Sequence, residues 1–595
     1  MKKKIRRKTL KIATAPQIRL FEETEVEAAT EVEVGRPNFI DLDPRDIFVG
    51  GRRLDEYLGE TKERRALMVR DIVRAQDYSA FDSSYLEDGR PAYCPASMVG
   101  LILYGMMHGV NSLRGLERMA RIDLGCMWVC GGITPDHSSI GRFIERHEDQ
   151  LREAFFVQMT ADTLTRMGRG VDATALDGTV VQAVASAHKT LKLEAARAKL
   201  QEAREAQAQK PDDLKASEKV SQAERVVQVA EERAAARKRK GRNVEQTQVS
   251  PTEPESMIQP LKNGGSKPSY KPIVLATPDR VIVGQTVEPS SETKPVAELL
   301  DQANRIGDRV VISPQMQSSS EGVLAVASEA AVTPKHSDKA PEQDKGEAGG
   351  DPQAEPTSQF APGAEVRCVL ADAGFFTDDV IQLMDQRGIE FLCPQGSAQS
   401  SSWDKSSKKF FAKALFIYNA ELDCFRCPAG QHLKPTRHRG ATSTDQAHVL
   451  YSTPACAMCP MRAQCTDAAK GRSISRYPGD QRKEELRARM KIPEVRSRYR
   501  KRCAWVEPVF SSLKFIHGLV RFARHGLARV RLEFALHALA HNLGRLLAFT
   551  EARQDLKAAL GGLFSSLLSS LCGHWHAYQL LAPGRFTRLH LAPCA

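Results

Sequence analysis

The stretch Val366-Arg-Cys-Val-Leu-Ala-Asp-Ala-Gly-Phe-Phe-Thr-Asp-Asp-Val-Ile-Gln-Leu-Met384 decides the fold. An apolar run, Cys368 to Ala371, ends abruptly in Asp372, and Gly374 then turns the chain. Thr377 is placed to cap a helix whose apolar side is Val380, Ile381 and Met384, with Asp378 and Asp379 complementing its positive end. Gly388 stops that helix, and Ile389-Glu-Phe-Leu-Cys393 reads as a second strand. The result is a strand–helix–strand unit with one carboxylate at the carboxyl end of its first strand, where open α/β sheets place their ligands. Alone, Asp372 reads as a turn cap. An Asp upstream and a Glu downstream give it a second meaning.

The upstream stretch is Ala173-Thr-Ala-Leu-Asp-Gly-Thr-Val-Val-Gln-Ala-Val-Ala185. It reads as strand, Asp177-Gly178 turn and strand, a β-hairpin with a carboxylate at its bend, although Asp-Gly is also a common turn without chemistry. The downstream stretch is Ala504-Trp-Val-Glu-Pro-Val-Phe-Ser-Ser-Leu-Lys-Phe-Ile516. Helical spacing places Glu507 and Lys514 on one face beside the apolar Val506, Phe510 and Leu513, and Pro508 suits the first turn of a helix that starts near Glu507. A solvated Glu/Lys face is the plainer alternative. Three carboxylates on two strands and a helix have a joint use: they can hold two oxygen-preferring Mg²⁺ ions about 3.5–4 Å apart, with Lys514 on a substrate phosphate.

Composition sets the wider frame. The chain has 595 residues, 42% hydrophobic and 27% charged, enough for three or more domains with their own cores. A net charge of +12 and a pI near 9.0 favour a polyanionic partner. The basic residues cluster, with eleven Lys or Arg against two Glu between Lys491 and Arg531. No secretory signal and no run long enough for a membrane span is read, and reduced thiols fit a cytoplasmic, nucleoid-associated protein.

The organisation follows from shifts along the chain. Residues 1–35 read as a disordered charged tail, and 36–170 as a helical N-terminal domain. Within that domain Pro135-Asp-His-Ser-Ser-Ile-Gly-Arg-Phe143 opens with a cap and continues as a basic helix. A helix-turn-helix-like DNA-binding module and a plain helical bundle both fit these residues. Residues 171–188 carry the first Asp, and 189–242 form a helical hairpin divided at Pro211. Residues 243–312 supply core strands and a helix, ending in a short apolar strand at 309–312. A disordered linker is expected over 313–364. The second Asp lies in 365–395, a Cys-rich insertion in 396–490, the Glu helix and further core helices in 491–550, and a C-terminal tail in 551–595. Thirteen cysteines are present. Cys424, Cys427, Cys456, Cys459 and Cys465 have metal-like spacing, with Cys456-Ala-Met-Cys459 as a two-residue-gap knuckle; free buried thiols are the alternative.

Together, Asp177-Gly-Thr-Val-Val-Gln-Ala183, Ala371-Asp-Ala-Gly-Phe-Phe376 and Val506-Glu-Pro-Val-Phe-Ser-Ser-Leu-Lys514 resemble the three blocks of bacterial insertion-sequence DDE transposases, closest to the insertion sequence 1182 family. Pro135 to Phe143, Gly518 to Arg531 and Leu539 to Leu543 are similar to further blocks of that family. The resemblance implies an α+β multidomain protein with an RNase H-like α/β catalytic core. It implies Asp177, Asp372 and Glu507 as ligands of two catalytic Mg²⁺ ions, with Lys514 completing the catalytic set. Cys427, Cys456, Cys459 and Cys465 would then hold one structural Zn²⁺, Cys424 being the alternative fourth ligand. The partner would be double-stranded DNA, at element ends and target, contacted by Arg502, Lys514, Arg521, Arg524, Arg529 and Arg531. Pairing two ends implies a homodimer. The expected activity is Mg²⁺-dependent cleavage at element ends followed by strand transfer. A nuclease that cuts without joining and an inactive, domesticated DNA-binding protein are the rivals. The sequence departs from the family at three places, one of them the foreign-looking insertion Ser313–Ala364. Arg500 and Cys503 stand seven and four residues before Glu507, where a Tyr and an Arg are usual, and Tyr499 and Arg502 sit just out of register. Glu253-Pro-Glu255 stands where an Asp-Pro-acid segment is expected.

Overall fold

The computed structural model describes residues 38–61, 64–85, 91–186, 189–239, 241–261, 264–311, 365–396, 410–442 and 446–581. The expected tail over 1–35 and linker over 313–364 lie outside them. The main helices of the N-terminal part are α1 (Arg64–Arg74), α2 (Pro95–Met107), α3 (Leu113–Ile122), α4 (Leu124–Cys130), α5 (His137–Arg146) and α6 (Phe155–Met167). Side-chain caps start three of them. Ser112 accepts from Gly115 N at 3.1 Å, Asp123 from Cys126 N at 2.7 Å and Asp136 from Ser139 N at 2.6 Å. Left-handed glycines, Gly131 and Gly168, end α4 and α6. Helix α2 is buried on almost every side, whereas α5 turns Ile140, Phe143 and Ile144 inward and leaves Arg142 and Arg146 exposed.

The central sheet contains β1 (Ala173–Gly178), β2 (Val181–Gln182), β3 (Met257–Pro260), β4 (Ser266–Ala276), β5 (Ile282–Glu288), β6 (Cys368–Ala371) and β7 (Glu390–Leu392). Its order is β5-β4-β1-β6-β7, with β2 and β3 also paired to β4. Strand β4 runs antiparallel to β1 and β5, while β1, β6 and β7 are mutually parallel. The expected hairpin at Asp177-Gly178 is absent. Strands β1 and β2 pair with β4 in one unbroken register, Asp177 opposite Val274 and Val181 opposite Tyr270, so the chain runs straight on. The pairing is interrupted opposite Pro272, which has no N–H to give, although Thr179 N still donates to Pro272 O at 2.9 Å.

Two insertions depart from the sheet. The helices α7 (Leu193–Gln209) and α8 (Leu214–Arg239) form the antiparallel hairpin, tied by Arg197–Glu231 at 2.7 Å and Arg204–Glu224 at 2.9 Å. Helix α9 (Val296–Gly307) covers β5. The chain after α9 is a turn rather than a strand: Val311 is 70% exposed and its N–H donates to Thr165 Oγ1. Helix α10 (Asp378–Gln386) has the anticipated Thr377 cap and buries Val380, Ile381 and Met384. A second sheet follows, antiparallel throughout, in the order β8 (Ile417–Asn419), β9 (Cys424–Arg426), β10 (His432–Arg439), β11 (His448–Ser452) and β12 (Ile474–Arg476). Its inner face holds its own core of Phe425, Leu433, Tyr451 and Ile474.

Helices α11 (Asp480–Arg489), α12 (Pro493–Ser511) and α13 (Leu527–Leu581) complete the chain. The tail expected from residue 551 is instead continuous with α13, because Glu551 to Leu560 are strong helix formers without a breaker. Glu551 also pairs with Arg65 of α1 at 2.7 Å. One apolar cluster runs from the N-terminal helices through the central sheet into α12 and α13. The helical region is therefore packed onto the α/β layer. The chain is an α+β protein, and among the described residues no helix is long and apolar enough to cross a membrane.

Candidate active site

The parallel pairing of β1 and β6 sets Leu176 beside Ala371, which brings Asp177 and Asp372, the next residues, side by side at the strands' carboxyl ends. Each is held by a backbone N–H just after it. Asp177 accepts from Gly178 N at 2.8 Å, and Asp372 from Gly374 N at 2.9 Å. The turn-cap reading of Asp372 is thus correct as far as it goes, and the cap also aims the carboxylate. Burial pushes the Asp177 carboxyl upward, Arg502 opposes that, and Asp372 adds to it.

Helix α12 lies across these strand ends, and Glu507 is in its last turns rather than its first. Pro508 is inside the helix. The carbonyl that Pro508 leaves without an intrahelical donor, that of Ala504, accepts from Arg280 Nε at 3.1 Å. A side chain far away in sequence therefore permits what the local signal forbade. Arg502 Nη1 lies 3.2 Å from Asp177 Oδ2, and its Nη2 is 3.9 Å from Glu507 Oε1. Five residues separate Arg502 from Glu507, or about 140° around the helix. Accordingly, Arg502 is buried against the aspartates while the Glu507 side chain is 60% exposed. Cys503, one turn before Glu507, takes the hydrogen bond to it, which raises the thiol's pKa. Tyr499 shares Arg502's inward face, and its phenol is raised by burial.

After α12 a single π-turn, Ser512–Ile516, swings Lys514 back to the sheet, where its Nζ donates to Thr179 Oγ1 at 2.7 Å. Asp177, Asp372, Arg502 and Lys514 thus share one sheet edge, and Glu507 joins them through Arg502. Arg502 Nε is buried without a hydrogen-bond partner, while its Nη1 faces the Asp177 carboxylate.

Glu292 is a carboxylate that sequence reasoning missed. A Cβ placed on Gly178 would lie 3.1 Å from Glu292 Cγ, and one on Gly374 would lie 3.5 Å from Glu292 Oε2 and 3.0 Å from Asp372 Oδ1. Glu292 therefore sits close to the backbone just after each aspartate, held by Lys271 Nζ at 2.7 Å. Its neighbours in sequence, Ser290-Ser-Glu-Thr293, carry no signal beyond a polar loop.

The other expected residues separate into two groups. Arg531 pairs with Glu288 at 2.5 Å and donates to Val287 O at 2.9 Å, and Arg524 is partly buried near Glu533. Arg529 pairs with Glu145 at 3.2 Å on the surface, and Arg521 is exposed although its Nε donates to Ala183 O. The departure at Glu253-Pro-Glu255 has a structural use. Buried Glu253 accepts from Tyr270 OH and His525 Nδ1, each at 2.7 Å, and Glu255 accepts from Leu527 N at 2.6 Å, anchoring the start of α13.

Cys427, Cys456, Cys459 and Cys465 line one small cavity beneath the second sheet, and burial raises the Cys465 thiol. Cys424 is not in that lining; its sulfur is 3.1 Å from His432 Nδ1. Among the described residues, however, no three or more His, Cys, Asp or Glu side chains stand in a metal-holding arrangement, either here or at the aspartates.

Family models match two parts of the chain. One described as a transposase DDE domain covers residues 426–547, and one described as a transposase domain (DUF772) covers residues 57–146. Both support an insertion-sequence transposase. The first match includes Glu507 and Lys514 but begins after both aspartates. No curated protein and no solved structure matches the chain.

Proposed function

We propose that this chain is a DDE transposase of the insertion sequence 1182 type, an enzyme that cleaves DNA at element ends and joins the freed 3′-hydroxyl to target DNA. The observation that carries this reading is the pairing of Asp177 and Asp372 at adjacent parallel strand ends, with Lys514 brought to Thr179 beside them. A mixed sheet bearing its carboxylates in this way supports an RNase H-like core.

The donor set at the strand ends is all carboxylate oxygen, which suits Mg²⁺ and not a thiophilic metal. Asp177 and Asp372 would hold it beside Glu292, with Glu507 the third ligand that the family pattern implies, and paired Mg²⁺ would activate the attacking oxygen and stabilise the leaving one. Lys514 holds a phosphate oxygen over Thr179. Arg502, whose Nε has no partner, supplies a second contact to the same phosphate, since a buried guanidinium gains most from a charged acceptor. Four thiols around one cavity suit a single structural Zn²⁺ by donor chemistry. Two chains, each gripping one end, would form the synapsed dimer.

A strand-transfer assay with Mg²⁺ and an end-containing duplex tests this function. Joined products are expected. Cut ends without joining would favour the nuclease, and binding without cutting would favour the inactive DNA-binding protein.

A further inference from the structure

The second sheet has an inner face that packs and an outer face on which Cys424 and His448 are buried while Arg426, Lys434, Arg437 and Arg439 stay exposed. None of its five strands contains an Asp or a Glu. Its cations are arranged by one irregularity. Strand β10 pairs Lys434 with Ser452 and Pro435 with Tyr451, but then Arg437 with Leu450 and Arg439 with His448, leaving Thr436 as a bulge. Without the bulge, strict alternation would turn Arg437 and Arg439 to the inner face. With it, Lys434, Arg437 and Arg439 share the outer face, opposite the side that buries Leu433 and Tyr451.

The bulge is held in place. Thr436 Oγ1 donates to Leu450 O at 3.1 Å and accepts from Ser452 Oγ at 3.2 Å, beside Pro435, which cannot continue the ladder. Arg426, opposite His432 on β9, extends the row. All four cations are exposed, and none has an ion-pair partner among the described residues. By contrast, Arg197, Arg204 and Arg531 elsewhere are all paired. From Lys434 to Arg439 the row spans about 13 Å at the rise of a strand.

We propose that this outer sheet face is a second DNA-binding surface, which tracks the phosphate backbone of the duplex through Arg426, Lys434, Arg437 and Arg439. The proposal rests on the transposase reading for its partner, and its chemistry is the electrostatic one that unpaired cations on one face of a sheet offer to a polyanion. It assigns the sheet a task beyond scaffolding. The contacts are to phosphate, so they add affinity without reading sequence.

Binding of the full chain to an end-containing duplex, followed by fluorescence anisotropy from 50 to 200 mM salt, tests it. Lys434→Gln, Arg437→Gln and Arg439→Gln combined should flatten the slope of log affinity against log salt by roughly three units, about one per lost phosphate contact. Thr436→Val, which keeps every charge but frees the bulge, should flatten it less. Cleavage at saturating DNA should match the wild type in both. An unchanged slope in the triple variant, with wild-type binding intact, overturns the surface alone. So does a loss of affinity for single-stranded RNA that leaves the duplex unaffected. A wild-type chain that ignores the duplex overturns both this surface and the transposase reading.

Discussion

Arg502 shows why single residues in this chain are misread from sequence. Its distance from Glu507 is one residue longer than the family spacing, so its side chain turns toward Asp177 and leaves Glu507 in solvent. Asp177 was read at a hairpin bend, and Lys514 reaches Thr179 through a π-turn that helical spacing does not announce, but the strand-end placement of Asp372 was legible because an apolar run ending in a turn is a local pattern. Glu292 was not, since its place over Gly178 and Gly374 is set by a loop that returns from the far edge of the sheet. Pro508 was misplaced for a related reason: the group that relieves it, Arg280, lies 224 residues away from Ala504. Pro508→Ala should therefore raise stability by about 1–2 kcal/mol, because the helix regains an N–H that can donate along its axis. A lowered melting temperature in that variant would show that the proline fits the helix end better than alanine does.

Elements were legible where caps and apolar periods agreed. Thr377 and Gly388 bracket α10 as anticipated, whereas Asp177-Gly178 looked like a hairpin because a turn dipeptide gives no sign of the partner strand that keeps it extended. The approach of α9 to the sheet depends on Gly284 of β5, where an added Cβ would meet Leu299 O at 2.8 Å and Leu275 Cβ at 3.1 Å. Backbone cannot yield as a side chain can, so Gly284→Ala should destabilise by about 1–3 kcal/mol, measured by urea unfolding. A change below a few tenths would mean the helix shifts freely. In the second sheet, Cys459→Ser should abolish zinc binding by the purified chain and increase amide exchange across residues 424–476. Equal zinc content in variant and wild type would remove the metal from the reading and leave the four thiols as packing.

At the scale of the whole molecule, the N-terminal helices, central sheet and α13 share one core, and protonation of buried groups should act on all three together. His537 and His541 of α13 are buried, and burial pushes each down to about 3. They charge readily only in the unfolded chain, where the ordinary value is near 6.5. Their contribution is intact above pH 6.5 and is lost as pH falls toward 3, each at about 1.4 kcal/mol per pH unit. The melting temperature should fall between pH 6.5 and 5, and less steeply in His537→Phe; equal slopes would show that His537 is not titrating there. Composition breaks along the chain do not reveal which apolar faces meet across hundreds of residues. What the merged core positions is the pair of aspartates, and the direct test is on Asp372. Asp372→Asn keeps the side chain's size and its turn but removes a charge required for paired Mg²⁺. Cleavage of an end-containing duplex should drop by several orders of magnitude while affinity for that duplex stays at the wild-type level, because removing an anion takes away no phosphate contact. Cleavage at the wild-type rate would reduce Asp372 to a turn residue and contradict the active site described above.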